Sequence, residues 1–242
     1  VFEKMAESRK YDAIVFLSDG SIPLSFAKKT ILHFQFPVPW VNGKSIVQQY
    51  KIRRIDTVIC NSEFVKAHID KTFRISSRVL YPSIPIRSFA SKRKTNTILS
   101  VGRFTSGMNT KKQNEMIEAF ERLVATGVKG WRLVLAGSML PPDRGFVKAL
   151  KKRAKTLPVE FFVNLPFTDL KRLYATSSLY WHAAGYGEDL VRNPQRAEHF
   201  GISVVEAMAS GVVPLVFNGG GLPEIVDGKS GILWETIEEL IH

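Results

Sequence analysis

The chain has 242 residues, 45% hydrophobic and 23% charged, room for one large domain or two of about 100 to 150 residues with a real core. Lys and Arg number 34 against 22 Asp and Glu, a net charge of +12, so an anionic partner is expected. The single cysteine, Cys60, excludes an intrachain disulfide and any cysteine-rich zinc site and suits a reducing cytosol, and no uncharged apolar run of about 18 residues exists to span a membrane.

The chain begins with Val1, without the basic start and apolar stretch of a signal peptide, and is expected to be an internal piece of a longer protein. Short runs rich in Val, Ile and Leu then recur between helical patterns, which is how a parallel α/β sheet reads. The strands are expected at 12–17, 30–34, 57–60 and 78–81, then at 97–101, 131–136, 159–162, 179–182, 212–216 and 231–233. The clearest helix, 111–124, carries Met116, Ile117, Phe120, Leu123 and Val124 on one stripe. Between the fourth and fifth strands lies a stretch with Pro82, Pro85 and the cations Arg87, Lys92, Arg93 and Lys94, which reads as a linker at 87–96. Residues 1–86 would then form a first Rossmann-like domain with too few strands to be complete, and 97–242 a fuller second one.

Several familiar motifs fail. Gly228-Lys-Ser and Gly43-Lys-Ser lack the upstream glycine of a phosphate loop, having Pro223 and Val38 there. There is no G-x-S-x-G elbow, no H-E-x-x-H, no D-x-D pair for a metal and no G-x-G-x-x-G after a strand. Serine hydrolase, zinc protease and nicotinamide enzyme readings drop out.

Three segments carry chemistry instead. In Glu198-His-Phe-Gly-Ile-Ser-Val-Val-Glu206, Gly201 lets a loop turn into a helix near Ser203, bringing two carboxylates and free amides to one helix start. Such a place suits a ligand with an anionic group and several hydroxyls, as a nucleotide sugar has. The plainer account is that Ser203 and Glu206 form a capping box and that Glu198 is merely solvated. Upstream, Val101-Gly-Arg103 leaves a strand through a glycine and Lys111 opens the next helix. Two cations then stand at a sheet's C-terminal edge, where α/β ligands bind, unless both are ordinary surface charges. Downstream, Gly219-Gly220-Gly221-Leu-Pro223 either offers amides to a ligand or is a tight turn.

Gly102-Arg103, Lys111, Glu198-x7-Glu206-Ala-Met-Ala-Ser-Gly and Gly220-Gly221-Leu-Pro-Glu-Ile-Val together resemble the donor-binding domain of the retaining group-1 glycosyltransferases, family four, of GT-B fold. The likeness covers most of 97–234, and Val58-Ile-Cys-Asn-Ser-Glu63 and Val79-Leu-Tyr-Pro82 resemble the end of that family's acceptor domain. Trp181-His182 followed by Glu198-His-Phe-Gly is similar to enzymes that extend lipid-linked oligosaccharides, which implies mannosyl transfer.

The resemblance implies a metal-independent hexosyltransferase with no cofactor beyond its nucleoside diphosphate sugar. Arg103 and Lys111 would hold the diphosphate, Glu206 the ribose, and Glu198 the sugar hydroxyls nearest the reacting centre. Amides of Phe200, Gly201 and Ile202, with Gly220 and Gly221, would position the sugar. His33 matches a family histidine that faces the donor sugar, and His182 joins the donor site, although either is equally read as a packed histidine. The loop from Arg103 to Lys111 is longer than usual, over 105–110, which leaves Lys112 as a rival to Lys111, and the insertion between Gly185 and Glu198 is expected to cover the donor as a flap. The expected acceptor is a glycan or lipid-linked hydroxyl, at a cytoplasmic or peripheral membrane location. The cations at 148–155 and in the linker suit an anionic membrane or form a plain solvated face. Nucleic acid is not an expected partner, lacking interleaved aromatics. The alternative is a non-catalytic sugar-nucleotide-binding module or partner subunit.

Overall fold

A computed structural model describes residues 2–107 and 111–242. The chain divides into two compact units, one of 1–82 with 189–195, the other of 83–188 with 196–242. The stretch 87–96 carries a single helical turn, Ile86–Ser88, and the start of a strand at Thr95.

In the first unit, α1 (Phe2–Ser8), β1 (Ala13–Ser18), β2 (Lys29–Phe34), α2 (Ile46–Ile52), β3 (Thr57–Cys60), α3 (Glu63–Phe73) and β4 (Arg78–Val79) follow one another. The strands form a four-stranded sheet in the order β1-β2-β3-β4, with every pairing parallel. Strand alternation buries Thr30, Leu32 and Phe34 on one face of β2. There Leu32, Phe34 and Cys60 meet Val65, Ile69 and Phe73 of α3. Ser62 caps that helix, its Oγ accepting from Val65 N–H at 3.1 Å, and Arg74 ends it in the left-handed region. Burial raises the Cys60 thiol to about 11, so it behaves as a small core residue.

The second unit holds β5 (Thr95–Val101), α4 (Gln113–Ala125), β6 (Arg132–Gly137), α5 (Arg144–Arg153), β7 (Val159–Val163), α6 (Phe167–Thr176), β8 (Ser177–His182), α7 (Ile202–Ala209), β9 (Val213–Phe217), β10 (Ile232–Trp234) and α8 (Ile237–Ile241). Its six-stranded sheet runs β10-β9-β8-β5-β6-β7, again all parallel. All ten expected strands are present, none differing by more than two residues at either end; the two-residue differences are the earlier starts of β5 and β8 and the end of β4, which stops at Val79 rather than at 81.

The α4 stripe packs as its spacing requires, with Met116, Ile117 and Phe120 buried in one core layer beside Leu133, Leu135 and Trp181. The other layer is built around Leu99, Val134, Tyr174, Tyr180, Val204 and Val216. After β5 the chain builds outward through β6 and β7 on one side, and through β8, β9 and β10 on the other. The order therefore reverses between β5 and β8, and ligands of open parallel sheets bind outside the strand ends at such a switch point.

Candidate functional site

The end of β5 is clamped. Gly102 N–H donates to Ala136 O at 2.9 Å and Phe104 N–H to Ser138 O at 2.8 Å, while Gln113 Nε2 donates to Arg103 O at 3.1 Å. A side chain at 137 would place its Cβ 2.0 Å from Gly102 O, so glycine alone permits this approach. Phe104 is fully buried, whereas the Arg103 side chain is exposed and makes no ion pair among the described residues. A cavity of about 280 Å³ adjoins it, lined in part by Gly137, Asn164 and Leu165.

Lys111 crosses Gly102 closely, for a Cβ at 102 would fall 2.5 Å from Lys111 Cγ. Its ammonium reaches Glu198 Oε2 at 2.6 Å. From the end of β8, His182 Nε2 stands 2.9 Å from the same oxygen, an ion-pair distance although the ring is not aligned for a hydrogen bond. Its Nδ1 accepts a long 3.4 Å bond from Ala184 N–H, which assigns the proton of the neutral ring to Nε2, facing Glu198. Lys111, His182 and Glu198 thus form one group whose side chains are 23%, 2% and 15% exposed. Burial works against ionisation of Glu198, yet the Lys111 charge and His182 outweigh it and hold the carboxyl well below the usual carboxylate range.

Lys112 does not share that partner. It takes a left-handed backbone at the cap of α4, which begins at Gln113 rather than at Lys111, and its ammonium bonds Glu188 Oε1 at 2.7 Å. Arg196 holds the other oxygen of Glu188, also at 2.7 Å. These two cations keep Glu188 below its ordinary pKa. Of the loop expected to lengthen over 105–110, residues 108–110 lie outside the described residues. Of the insertion expected as a flap, 189–195 groups with the first unit.

The capping-box account of Glu206 fails. Gly201, at φ 112°, occupies the cap of α7 and no side chain caps the helix. Ser203 Oγ is instead 2.8 Å from the Tyr180 phenol, which also lies 3.1 Å from Val101 O. Buried Tyr180 therefore ties the start of α7 to the end of β5. Glu206 Oε2 accepts from Tyr174 Oη at 2.9 Å. Burial raises the Glu206 pKa, and the Tyr174 hydrogen bond and the Lys171 charge pull it partly back.

The glycine loop serves Glu198. Gly221 N–H donates to Glu198 O at 2.8 Å, and the amides of Gly219 and Leu222 close turns of their own onto Phe217 O and Gly219 O. A Cβ at 220 would lie 2.2 Å from Glu198 O and one at 221 would lie 2.5 Å from His199 O. Phe200 is buried, a Cβ at 201 would lie 3.0 Å from Leu222 Cδ2, and Ile202 is exposed at the first turn of α7. The structure thus gathers Lys111, His182 and Glu198 into contact, with Gly102 beneath Lys111 and Gly220 and Gly221 beneath Glu198. Sequence reading missed Glu188, Tyr174 and Tyr180; the aromatic run ending β8 was visible, but nothing local showed what it would touch.

His33 belongs to the first unit, on β2, paired in register with Leu17 and Ile59. Its Nε2 is buried without a hydrogen-bond partner among the described residues, and burial lowers its pKa. Among the described residues no three His, Cys, Asp or Glu side chains converge as a metal site requires, and no helix is long and apolar enough to cross a membrane.

The family described as "Glycosyl transferases group 1" matches residues 85–239. The sequence is similar to the GDP-Man:Man(3)GlcNAc(2)-PP-Dol alpha-1,2-mannosyltransferase of Xenopus tropicalis, 27% identical over 252 residues that cover 96% of this chain and 47% of that protein. The protein of the same name from Homo sapiens is 29% identical over 184 residues, 69% of this chain and 35% of that one. The chain therefore spans about half the length, or less, of the curated relatives it matches. Among solved structures, Anabaena Alr3699/HepE in complex with UDP superposes with a TM-score of 0.74 at 18% identity, covering 99% of this chain and 70% of that one. Sucrose-phosphate synthase from Thermosynechococcus elongatus gives 0.71 at 15%, covering 99% and 65%. These likenesses show the fold, an α/β architecture of GT-B type with two Rossmann-like units. With the family matched over 85–239, the chain belongs to the group 1 glycosyl transferases.

Proposed function

We propose that this chain carries the donor site of a retaining glycosyltransferase, which moves a hexose of mannose type from a nucleoside diphosphate sugar to a hydroxyl of a glycan or lipid-linked acceptor without a metal. The observation that carries this reading is the Lys111–Glu198–His182 group at the strand-order reversal, beside an Arg103 held by its backbone with its guanidinium uncommitted. The relatives named for GDP-mannose and a dolichol-linked oligosaccharide favour that donor and that acceptor class.

In this reading Arg103 grips the diphosphate oxygens and Lys111 adds a second positive charge, so the charge that builds on the departing diphosphate is offset by cations. Glu198, kept ionised by Lys111 and His182, accepts hydrogen bonds from the sugar hydroxyls and has no proton to give. It therefore serves as a positioning acceptor and not as a general acid. The bond from the anomeric carbon to the diphosphate breaks while the acceptor oxygen bonds on the same face, and the acceptor's hydroxyl proton passes to the departing phosphate oxygen. Glu206, with one oxygen held by Tyr174, offers the other to the ribose hydroxyls. The amides at the start of α7 and the turn beside Gly220 and Gly221 complete the sugar's surroundings. A lipid-linked acceptor draws the protein to a membrane face, and its net charge of +12 suits an anionic one.

Transfer from GDP-mannose and UDP-glucose by a preparation that includes the remaining length of the protein tests the reading. Product with retained anomeric configuration, made in the presence of chelator and lost in Arg103→Ala, is expected. Donor binding without any transfer would instead favour a non-catalytic binding module.

A further inference from the structure

The stripe that buries Met116, Ile117 and Phe120 continues back, at helical spacing, to Gln113 at the first position of α4. Packing alone calls for an apolar residue there, yet the position holds an amide that is 3% exposed. Among the described residues every other buried polar side chain is a serine, a threonine or His182. Nor does Gln113 serve its own helix: α4 has no side-chain cap, and the chain enters it through the left-handed backbone of Lys112.

The amide reaches the loop that carries Arg103. Its Nε2 donates to Arg103 O at 3.1 Å, while Oε1 is buried without a partner among the described residues. A carbonyl only accepts, so the amide cannot be turned over to relieve Oε1. Burying an amide with one end unpaired works against the fold, and an apolar side chain of similar shape would avoid that cost. A residue that breaks its stripe in this way beside a ligand site points to a role in the site. The backbone around Arg103 shows which role. Gly102 N–H and Phe104 N–H both turn toward β6, onto Ala136 O and Ser138 O. In an extended chain the carbonyl of the residue between them points to the opposite side, and there Gln113 holds it. With Phe104 fully buried, the backbone at 103 is fixed from both sides and only the exposed side chain is left to move.

We propose that Gln113 is a positioning residue for Arg103: its amide fixes the peptide from which the guanidinium reaches the diphosphate, so that the ligand meets a cation on a rigid base. The role rests on the donor-site reading. Gln113 raises affinity by preorganising Arg103 and not by touching the ligand.

Gln113→Met keeps the length of the side chain and completes the apolar stripe. It is compared with Arg103→Ala, Lys111→Ala and the two double variants by calorimetric titration of the 242-residue chain with GDP and UDP, beside a thermal melt of each. Gln113→Met should melt level with the parent or above it, yet bind the preferred diphosphate roughly three- to ten-fold more weakly. In the Arg103→Ala background the same substitution should change affinity by less than about two-fold, because the residue it positions is gone. In the Lys111→Ala background its effect should persist. Parental affinity in Gln113→Met alongside a loss in Arg103→Ala would overturn the positioning role and leave the donor site standing. An equal loss in the parental and Arg103→Ala backgrounds would overturn it too, since that marks a structural residue. So would a loss that vanishes in Lys111→Ala and persists in Arg103→Ala, which would place the effect on the start of α4. Parental affinity in Arg103→Ala, or a folded parent that binds neither nucleotide, would overturn the donor-site reading and this role with it.

Discussion

Gly220 lies directly against Glu198: a Cβ at 220 would sit 2.2 Å from the Glu198 carbonyl oxygen, the atom that already accepts the Gly221 N–H at 2.8 Å. Gly220 also has φ 65°, in the left-handed region. The glycine loop therefore sets the position of the carboxylate without itself being charged. Gly220→Ala must move the 197–199 backbone. A loss of about 2 kcal/mol or more in stability is expected, with donor affinity falling in the same variant. A parental melt and parental affinity would contradict the buttressing role.

Glu198→Gln removes the charge that pairs with Lys111 while keeping the side chain's shape. The pair is partly shielded from water, and a loss of roughly 1 to 3 kcal/mol at neutral pH is expected. The pH dependence follows from the sign of the shift. A carboxyl whose folded pKa lies below its unfolded value contributes stability that is present above about pH 4.3 and is lost as pH falls through the folded pKa. Melts of parent and variant should differ by a constant amount from neutral pH down to mildly acid pH and then converge. A difference that grows on acidification would reverse the assignment.

Glu206 has the opposite sign. Burial raises its folded pKa, so its ionised form works against the fold at neutral pH, and that cost fades as pH falls through the folded value. Glu206→Gln keeps an oxygen for the Tyr174 hydroxyl. It should melt slightly above the parent at neutral pH and level with it in acid, yet bind the nucleotide more weakly. Weaker binding with a lower melt would show instead that the carboxylate holds the fold.

Lys111 and Lys112 differ in their partners, and the proposed donor site takes Lys111. Lys111 lies on Glu198, whereas Lys112 is committed to Glu188, which Arg196 also holds. Lys111→Ala should weaken donor binding by about ten-fold or more, the worth of a charge-assisted contact. Lys112→Ala should act mainly on the melt. Equal losses of affinity in titrations of both variants would return Lys112 to the donor site.

The six-stranded sheet was legible because its central strands are buried on both faces and read as near-continuous Val, Ile and Leu runs, as in Arg132–Gly137. The stripe of Met116, Ile117 and Phe120 announced α4 in the same way, through spacing alone. Contacts that depend on strand order were not legible. Lys111 and Glu198 stand 87 positions apart and meet only because β5 and β8 are neighbours at the sheet's centre. Ser203 and Glu206 matched a capping box, but the tertiary partners Tyr180 and Tyr174 took both side chains. The triple glycine signalled close approach, and only the fold showed that what approaches is the backbone of Glu198 and His199.

In the proposed donor site Arg103 receives the diphosphate. Arg103 is exposed and makes no ion pair among the described residues, so Arg103→Ala should leave stability within about 0.5 kcal/mol of the parent. The most direct measurement is calorimetric titration of the parent and Arg103→Ala chains with GDP, UDP and ADP in the presence of chelator, beside a thermal melt of each. Selective binding of one diphosphate by the parent, weakened by roughly ten- to a hundred-fold in a variant that melts with it, is expected. Unchanged affinity in Arg103→Ala, or a folded parent that binds none of the three, would contradict the donor-site assignment.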